Sequence, residues 1–215
     1  MEKKVKTLWS IILVILVALG FLFDEQITNL IINNRVSGLN DLMVFIGGGA
    51  IYFLLIVLVA ALFLLRKEKR RYVPVLLFSI VLAWIFKNII SNVVMRMRPE
   101  LIPLIEPIST FSFPSGHAAI VFSVLAILNK GFRKIGKVWL VIALLVCFSR
   151  VYLGVHYLSD VIAGALLGYF VSIISLELEE NYSFSRKVFG IFMNKSKKVK
   201  KKKRKKRKIK SKDKK

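Results

Sequence analysis

Cysteine, histidine and acidic residues are scarce in this 215-residue chain, which has one Cys, two His and 12 Asp plus Glu. The single cysteine, Cys147, lies inside an apolar run, which excludes a disulfide framework and a cysteine metal site. Against the few acidic residues stand 35 Lys and Arg, so the formal net charge is +23. Any chemistry that depends on histidine has to come from only two positions.

Apolar residues, in contrast, are abundant. The chain is 56% hydrophobic and has a mean hydropathy of +0.63. These values conflict with the high charge in a soluble globule, but they agree with a membrane protein whose charges are confined to loops. Much of the charge lies in Lys195–Lys215, where 16 Lys and Arg face one acidic residue, Asp213.

Six apolar runs approach the roughly 20 residues that a helix needs to cross a bilayer. We therefore predict an all-α bundle of six transmembrane helices. The first run is interpreted as a span and not as a signal peptide, because Asp24 and Glu25 follow it without a small-residue cleavage site. The runs are Leu8–Phe23, Ala50–Leu65, Tyr72–Val94, Ala118–Leu128, Val138–Cys147 extended to about Val155, and Leu158–Leu176.

Basic residues indicate the orientation, because Lys and Arg concentrate in cytoplasmic loops. They cluster before the first run and after the second, fourth and sixth. This alternation predicts six crossings with both termini in the cytoplasm. The connections after the first, third and fifth runs then face the outside, and the polar motifs of the chain collect on that face. A functional site is therefore expected at the extracytoplasmic side.

The first histidine lies in the stretch Pro114–His117, at the start of the fourth run. Pro and Ser suit the first positions of a helix, Ser115 can cap it, and Gly116 lets another group approach the backbone. The free N–H groups of such a helix start bind anions, and His117 could protonate an oxygen of the bound anion. The alternative is an ordinary helix cap with an interfacial histidine.

The second histidine lies in Ser149–Asp160, between the fifth and sixth runs. His156 and Asp160 are four residues apart and would share a face of a helix. An Asp that accepts from one ring nitrogen leaves the other nitrogen free as a nucleophile. Arg150 supplies a planar donor fork that suits phosphate oxygens. Alone, the His and Asp spacing is weak evidence, since such pairs are common and usually structural.

Three motifs in this order give the chain a specific resemblance. They are Arg-Pro at 98–99, then Pro-Ser-Gly-His, then Ser-Arg followed by His156 and Asp160. In them the chain resembles the type 2 phosphatidic acid phosphatase superfamily of integral membrane lipid phosphatases. The resemblance covers roughly residues 50–176. It implies a metal-free mechanism without a cofactor, in which His156 attacks phosphorus, Asp160 orients it, and His117 protonates the leaving oxygen and then activates water. It also implies that the phosphoryl oxygens are held by four residues: Arg98, Ser115, Gly116 and Arg150.

The first motif departs from the family pattern. In the family a Lys precedes the Arg-Pro by a fixed interval that falls on Ser91 in this chain. Lys87 lies one helical turn deeper, about 6 Å further from the outer surface at the rise of an α-helix. It shares a helix face with Arg98 and could reach the phosphate by snorkelling. The alternative is that Lys87 pairs with a neighbouring helix or marks a span boundary.

Two other segments have less specific patterns. Gly47–Gly49 is interpreted as a flexible entry to the second span and not as a phosphate loop, because no lysine follows it. Residues 179–215 are predicted to form a disordered cytoplasmic tail after a membrane domain over residues 1–178. The tail would attract anionic lipid headgroups. Nucleic acid is the rival partner for the same charge.

The sequence thus predicts a plasma-membrane enzyme that hydrolyses a lipid phosphomonoester or pyrophosphate at the outer face. Undecaprenyl pyrophosphate is the first candidate substrate. Phosphatidylglycerol phosphate, phosphatidic acid and diacylglycerol pyrophosphate follow. Two alternatives belong to other classes: a lipid-phosphate binding protein without turnover, and a peroxidase that holds vanadate in the same cradle.

Overall fold

The computed structural model of the chain describes residues 20–100, 103–106 and 111–185, without the side chains of residues 49–53. Every regular element in these residues is helical, which confirms the all-α class for this part of the chain. The elements are α1 (residues 20–33), α2 (Ser37–Gly47), α3 (Gly49–Leu65), a 3-10 turn (Lys67–Lys69), α4 (Tyr72–Val94), α5 (Gly116–Ser123), α6 (Leu125–Gly131), α7 (Arg133–Tyr152) and α8 (Leu158–Tyr182).

Among the described residues, three helical segments are long and apolar enough to cross a membrane: Lys67–Val94, Arg133–Tyr152 and Leu158–Tyr182. They correspond to the third, fifth and sixth predicted runs. The apolar segments Leu54–Leu65 and Gly116–Gly131 are shorter. The first run, Leu8–Phe23, lies outside the described residues up to residue 19. The protein is therefore a membrane protein, and the count of six spans stays a prediction.

Two parts of the helical pattern differ from the prediction. The fourth run is divided at Val124 into α5 and α6. Directly before the division, the hydroxyl of Ser123 donates to the carbonyl of Ile120 at 2.7 Å. Its own carbonyl accepts a hydrogen bond from Ser79 of α4 at 2.9 Å. The second difference is that α1 continues past Phe23 to residue 33, beyond the end of the apolar run.

Helix α7 contacts α2, α5 and α6, and α4 contacts α3, α5 and α6. The indole of Trp139 in α7 donates to the carbonyl of Val121 in α5 at 2.8 Å. The outward face of α4 leaves large apolar side chains exposed, with Leu77 at 54% and Trp84 at 58%. Exposed apolar side chains along a long helix are expected where lipid, and not water, surrounds it.

Contacts along the chain divide it into two compact units, Met1–Leu176 and Glu177–Lys215. In the described part of the second unit, the carboxylate of Glu179 accepts hydrogen bonds from the backbone N–H of Ser185 at 2.9 Å and from its hydroxyl at 2.6 Å. The predicted tail lies outside the described residues from residue 186 onward, so its disorder stays a prediction.

Candidate active site

The site begins where α4 ends. Met95, after the last residue of α4, has a φ of 50° in the left-handed region, and its N–H bonds to the carbonyl of Ser91 at 3.0 Å. Non-glycine residues adopt this conformation infrequently. The turn ends the helix sharply and sends Arg96 and Arg98 into the following loop. Both arginines then make contacts with segments that are distant in sequence.

His156 and Asp160 lie together at the start of α8. The Nδ1 of His156 is 3.6 Å from Oδ2 of Asp160, slightly longer than a hydrogen bond. The prediction that both share one helix is wrong, because α8 begins at Leu158 and His156 lies in the preceding turn. The carboxylate instead caps that turn, since the N–H of Tyr157 donates to Oδ2 of Asp160 at 3.0 Å. The two side chains are neighbours, but Nδ1 of His156 has no hydrogen-bond partner among the described residues, so the orienting role of Asp160 stays a prediction.

Arg98 lies against the other ring nitrogen of His156. Its Nη1 is 3.4 Å from Nε2 of His156, and the same nitrogen donates to the carbonyl of Val155. Its Nη2 donates to the carbonyl of Phe111 at 3.1 Å. The guanidinium thus links the loop after α4, the segment before α5 and the turn before α8. The structure brings Arg98 and His156 together as the sequence predicted.

Arg150 is buried in the last turn of α7, with 3% of its surface exposed. Its Nη1 donates to the carbonyl of Gly47 at the end of α2, at 2.9 Å. A Cβ at residue 47 would lie 2.5 Å from Leu153 Cδ1 and 3.2 Å from Arg150 Nη1, so a larger residue here would require these side chains to move. The sequence reading treated Gly47 only as part of a turn and missed this role.

The segment Pro114–His117 starts α5 as predicted, but Ser115 makes no side-chain cap. Its backbone N–H donates to the carbonyl of Asp160 at 2.9 Å, which joins the two motifs directly. Its Oγ is buried and has no hydrogen-bond partner in the described part of the chain. His117, the second residue of α5, lies within electrostatic range of four site residues: Arg98, Lys87, Arg150 and His156.

Lys87 extends from α4 along Gly116. A Cβ at residue 116 would lie 3.5 Å from Cε and 3.6 Å from Cδ of Lys87, so the lysine stem passes beside the start of α5. Its Nζ is 3.5 Å from Oδ1 of Asn88. Ser91, the position where the family has its lysine, is buried at 4% exposure. The stem of Lys87 therefore lies beside the Pro114–His117 segment.

Burial sets the charge state of His156. Desolvation of the ring lowers the pKa of His156 to about 4, the carboxylate of Asp160 opposes the decrease, and the charges of Arg98 and Arg150 add to it. A pKa this far below 6.5 keeps the imidazole neutral near pH 7. A neutral ring next to Asp160 on one side and Arg98 on the other has the protonation state that a nucleophile requires.

Two further charged residues, Arg96 and Asp24, lie at the site but were not predicted from the sequence as site residues. Arg96 forms ion pairs with Asp24 and with Asp160, both at 2.8 Å. Asp24 on α1 is buried at 1% exposure. The signal in the sequence was an acidic residue directly after an apolar run in a chain with few acidic residues. That signal was used only to judge cleavage of the first run.

Two cavities flank this arrangement. A polar cavity of about 350 Å³ lies at Arg98 and is bounded by Glu25, Thr28, Asn29, Met97, Pro99, Glu100 and Tyr157. A larger apolar cavity of about 670 Å³ lies between α1 and α8 and is bounded by Gly20, Phe23, Gln26, Ile27, Leu30, Leu158 and Ile162. Since Tyr157 and Leu158 are adjacent, the polar and apolar cavities lie on neighbouring parts of the same helix start.

The chain is similar in sequence and in fold to known proteins. Residues 72–183 match the PAP2 superfamily. The undecaprenyl-diphosphatase of Sulfolobus acidocaldarius is 33% identical over 73% of this chain and 79% of that protein. The crystal structure of the transmembrane PAP2-type phosphatidylglycerolphosphate phosphatase of Bacillus subtilis superposes with a TM-score of 0.67 and 27% identity, covering 85% of this chain and 98% of that one.

A second solved structure, LpxE of Aquifex aeolicus, superposes with a TM-score of 0.60 and 30% identity over 72% of this chain and 95% of that one. The chain belongs to the PAP2 superfamily. It is a phosphoric monoester or diphosphate hydrolase, and within the family it is a membrane lipid phosphatase. The class predicted from the sequence is thereby confirmed.

Proposed function

We propose that the protein hydrolyses a phosphomonoester or pyrophosphate of a lipid through a phosphohistidine intermediate. The observation that carries this proposal is the position of His156 between two opposite charges. Its Nδ1 is 3.6 Å from the carboxylate of Asp160, and its Nε2 is 3.4 Å from Nη1 of Arg98. One nitrogen can thus donate its proton to Asp160, while the other faces the cation that would hold a phosphoryl group.

The reaction has two displacements. In the first, Nε2 of His156 bonds to the terminal phosphorus while the bond from that phosphorus to the leaving oxygen breaks, and protonated His117 gives its proton to that oxygen. The leaving oxygen is the bridging oxygen of a pyrophosphate or the ester oxygen of a phosphomonoester. In the second, His117 takes a proton from a water molecule, whose oxygen bonds to phosphorus as the bond to Nε2 breaks. Phosphate leaves and both histidines return to their starting state. No metal is required, since the charge is balanced by fixed cations and donors.

The phosphoryl oxygens would be held by residues from three helices. Arg98 and Arg150 supply guanidinium donors, and the start of α5 supplies the N–H of Gly116 and the hydroxyl of Ser115. The buried Ser115 Oγ has no hydrogen-bond partner in the described residues, which suits a donor kept for the substrate. Lys87 adds a charge beside Gly116 and takes the place of the lysine absent at Ser91.

Undecaprenyl pyrophosphate is the proposed substrate. The relative from Sulfolobus acidocaldarius bears the name undecaprenyl-diphosphatase, which supports this choice. The apolar cavity beside Leu158 suits a long hydrocarbon chain. Phosphatidylglycerol phosphate is the second candidate, because the similar solved structure from Bacillus subtilis is a phosphatidylglycerolphosphate phosphatase.

We place the site at the outer face of the plasma membrane, in a bundle of six spans with both termini in the cytoplasm. This topology rests on the distribution of Lys and Arg along the chain. We assign residues 1–178 to the membrane domain and residues 179–215 to a basic cytoplasmic tail that binds anionic headgroups. Labelling of single cysteines in intact cells would test the topology, with a cysteine at Glu100 reacting from outside and one at Glu68 protected.

The first experiment measures phosphate release by the purified protein in detergent with EDTA. The substrates are undecaprenyl pyrophosphate, phosphatidylglycerol phosphate and phosphatidic acid, and the variants are His156→Ala and, as a control on the exposed surface of α2, Asp41→Asn. We expect release that survives EDTA, remains in the control and is lost in His156→Ala. A labelled substrate should leave phosphate on the protein that is stable in alkali and lost in acid.

Other results would contradict the proposal. Release that EDTA abolishes would argue for a metal mechanism, and activity in His156→Ala would exclude this nucleophile. Binding of lipid phosphate without any release by the unmutated protein would favour the lipid-phosphate binding protein, with Lys87 unable to replace the missing lysine. Faster release from phosphatidylglycerol phosphate than from undecaprenyl pyrophosphate would reverse the order of the two substrates.

A further inference from the structure

A buried polar network lies behind Asp160, on the side away from the proposed phosphate position. Arg96 donates from Nη1 to Oδ1 of Asp160 at 2.8 Å and to Oγ of Ser159 at 2.7 Å, and from Nη2 to Oδ2 of Asp24 at 2.8 Å. The N–H of Ser159 donates to Oδ1 of Asp24 at 2.9 Å. Asp24 and Asp160 are both almost fully buried, at 1% and 0% exposure.

The network separates the two oxygens of the Asp160 carboxylate. Oδ1 accepts from Arg96 at 2.8 Å, while Oδ2 accepts from the N–H of Tyr157 at 3.0 Å and faces Nδ1 of His156 at 3.6 Å. A carboxylate bonded at both oxygens cannot rotate without losing a charge-assisted hydrogen bond. The oxygen that faces His156 is therefore fixed by what the other oxygen contacts.

Arg96 is itself held in place by more than its ion pairs. The centre of its guanidinium lies 4.0 Å from the ring centroid of Tyr157 and 4.5 Å from that of Phe21. Contacts of a cation with aromatic faces at this distance are attractive. With the carboxylate of Asp24 on one nitrogen and Asp160 on another, the guanidinium has one position. The anchors Asp24 and Phe21 come from α1, outside the three motifs.

We infer that Arg96, anchored by Asp24, is a positioning residue that fixes the carboxylate of Asp160 and, through it, the ring orientation and tautomer of His156. The inference rests on the proposed nucleophilic function of His156. Neither Arg96 nor Asp24 touches the substrate in this scheme. Their effect is on the rate of the chemical step, because a misplacement of about 1 Å at a reacting group costs about 100-fold in rate.

The charges of Arg96 and Asp24 provide a second test of their positioning role. The charged groups that act on His156 are Asp160, Arg98 and Arg150, with Arg96 and Asp24 next to Asp160 and His117 across the site. Removing the cation of Arg96 makes the field at His156 more negative, which favours the imidazolium. Removing the anion of Asp24 makes the field more positive and has the opposite effect. Loss of packing alone would not shift protonation in opposite directions.

The test compares Arg96→Gln, Arg96→Lys and Asp24→Asn with the unmutated full-length protein, His156→Ala and two exposed controls, Asp41→Asn and Arg133→Lys. The measurements are kcat, KM and the pH profile of kcat/KM in detergent, with size-exclusion chromatography to confirm a folded protein. We expect kcat to fall about 100-fold in Arg96→Gln with KM changed less than about threefold, as for a group that acts on the chemical step.

We expect Arg96→Lys to recover part of the loss, because it keeps the charge, and Asp24→Asn to lose about tenfold, as supporting hydrogen bonds of a site commonly do. The acid limb of kcat/KM should move to higher pH in Arg96→Gln and to lower pH in Asp24→Asn. Normal kcat in both variants, or loss of kcat without opposite shifts of the acid limb, would overturn the inference. An inactive unmutated protein or an active His156→Ala would instead refute the proposed function.

Discussion

The two ends of α4 both carry arginines, and they are used in different ways. At the start, Arg70 and Arg71 are exposed and contact near neighbours, the carbonyl of Leu64 at 2.7 Å and the hydroxyl of Tyr72 at 3.1 Å. After the end, Arg98 donates to Phe111 and Val155, and Arg96 to Asp24 and Asp160. The two pairs of arginines differ in how far along the chain their hydrogen-bond acceptors lie.

That difference separates two functions of the same side chain. Exposed arginines with local partners are screened by solvent and contribute at most about 1 kcal/mol. Basic residues of this kind concentrate in the cytoplasmic loops of membrane proteins, and the proposed topology rests on that tendency. Half-buried arginines that join distant segments instead hold several loops in register. Charge alone therefore does not identify a site arginine, whereas burial and long-range acceptors do.

The largest expected effect compares arginines at the two ends. Arg98→Lys removes the planar fork that reaches Val155, Phe111 and His156 together, and lysine cannot reproduce it. We expect kcat/KM to fall about 100-fold or more. The matched change Arg70→Lys at the other end should leave kcat/KM within about twofold. The measurement is the rate of phosphate release by both variants. Equal losses of kcat/KM would mean that the arginines at the two ends of α4 do not differ in function.

The next effect concerns backbone packing beside the site. A Cβ at Gly168 of α8 would lie 2.1 Å from the carbonyl oxygen of Ala119 in α5, which no side-chain movement can relieve. We expect Gly168→Ala to destabilise the fold by about 1–3 kcal/mol. Gly38→Ala is the control, because no atom lies within 4 Å of its Cβ position. Thermal unfolding in detergent should show a lower Tm only for Gly168→Ala.

A smaller effect is expected for the lysine that approaches Gly116. Lys87→Met keeps the length of the stem and removes the charge, so we expect kcat/KM to fall about tenfold, as for one charge-assisted contact. Lys67→Met, in the 3-10 turn that precedes α4, is the matched change and should have no effect. If Lys87→Met is as active as the unmutated protein, the departure at Ser91 has no compensation from this residue.

The smallest effect is a pH dependence. The pKa of His156 is lowered to about 4, so the ring stays neutral as the pH falls through 6.5 and is protonated only near pH 4. We expect the acid limb of kcat/KM to reach half its plateau near pH 4 and not near pH 6.5. The measurement is the pH profile of kcat/KM with undecaprenyl pyrophosphate. A half-point near 6.5 that remains after correction for the substrate's own ionisation at about pH 6 would mean that His156 is solvated.

The helices and the site residues that belong to sequence motifs could be predicted, because both depend on patterns of neighbouring residues. The apolar runs at Tyr72–Val94 and Leu158–Leu176 fix helices by composition, and the Pro-Ser-Gly-His stretch fixes a helix start. The spacing of His156 and Asp160 also predicted their proximity, although through a turn and not through a shared helix. Each of these predictions used only residues that are close together in the sequence.

The other features of the site depend on contacts between segments that are distant in sequence. A single sequence does not show which distant segments meet. Nothing in the residues around Gly47 indicates that its carbonyl accepts from Arg150, or that Asp24 pairs with Arg96. Nothing near Ser123 indicates that its carbonyl accepts from Ser79 of another helix. The position of Lys87 beside Gly116 could be proposed from helix geometry, because it required only one helix and one rise per residue.

The anchoring contact between Gly47 and Arg150 has a consequence for how this enzyme can change over evolution. The segment matched by the family, residues 72–183, contains every motif residue, but it lacks Gly47 and Asp24. A transplanted copy of that segment would carry the full signature and lose both anchors of its arginines. Recombination at the boundary of the signature would therefore separate Arg96 and Arg150 from two of their hydrogen-bond acceptors, Asp24 and Gly47.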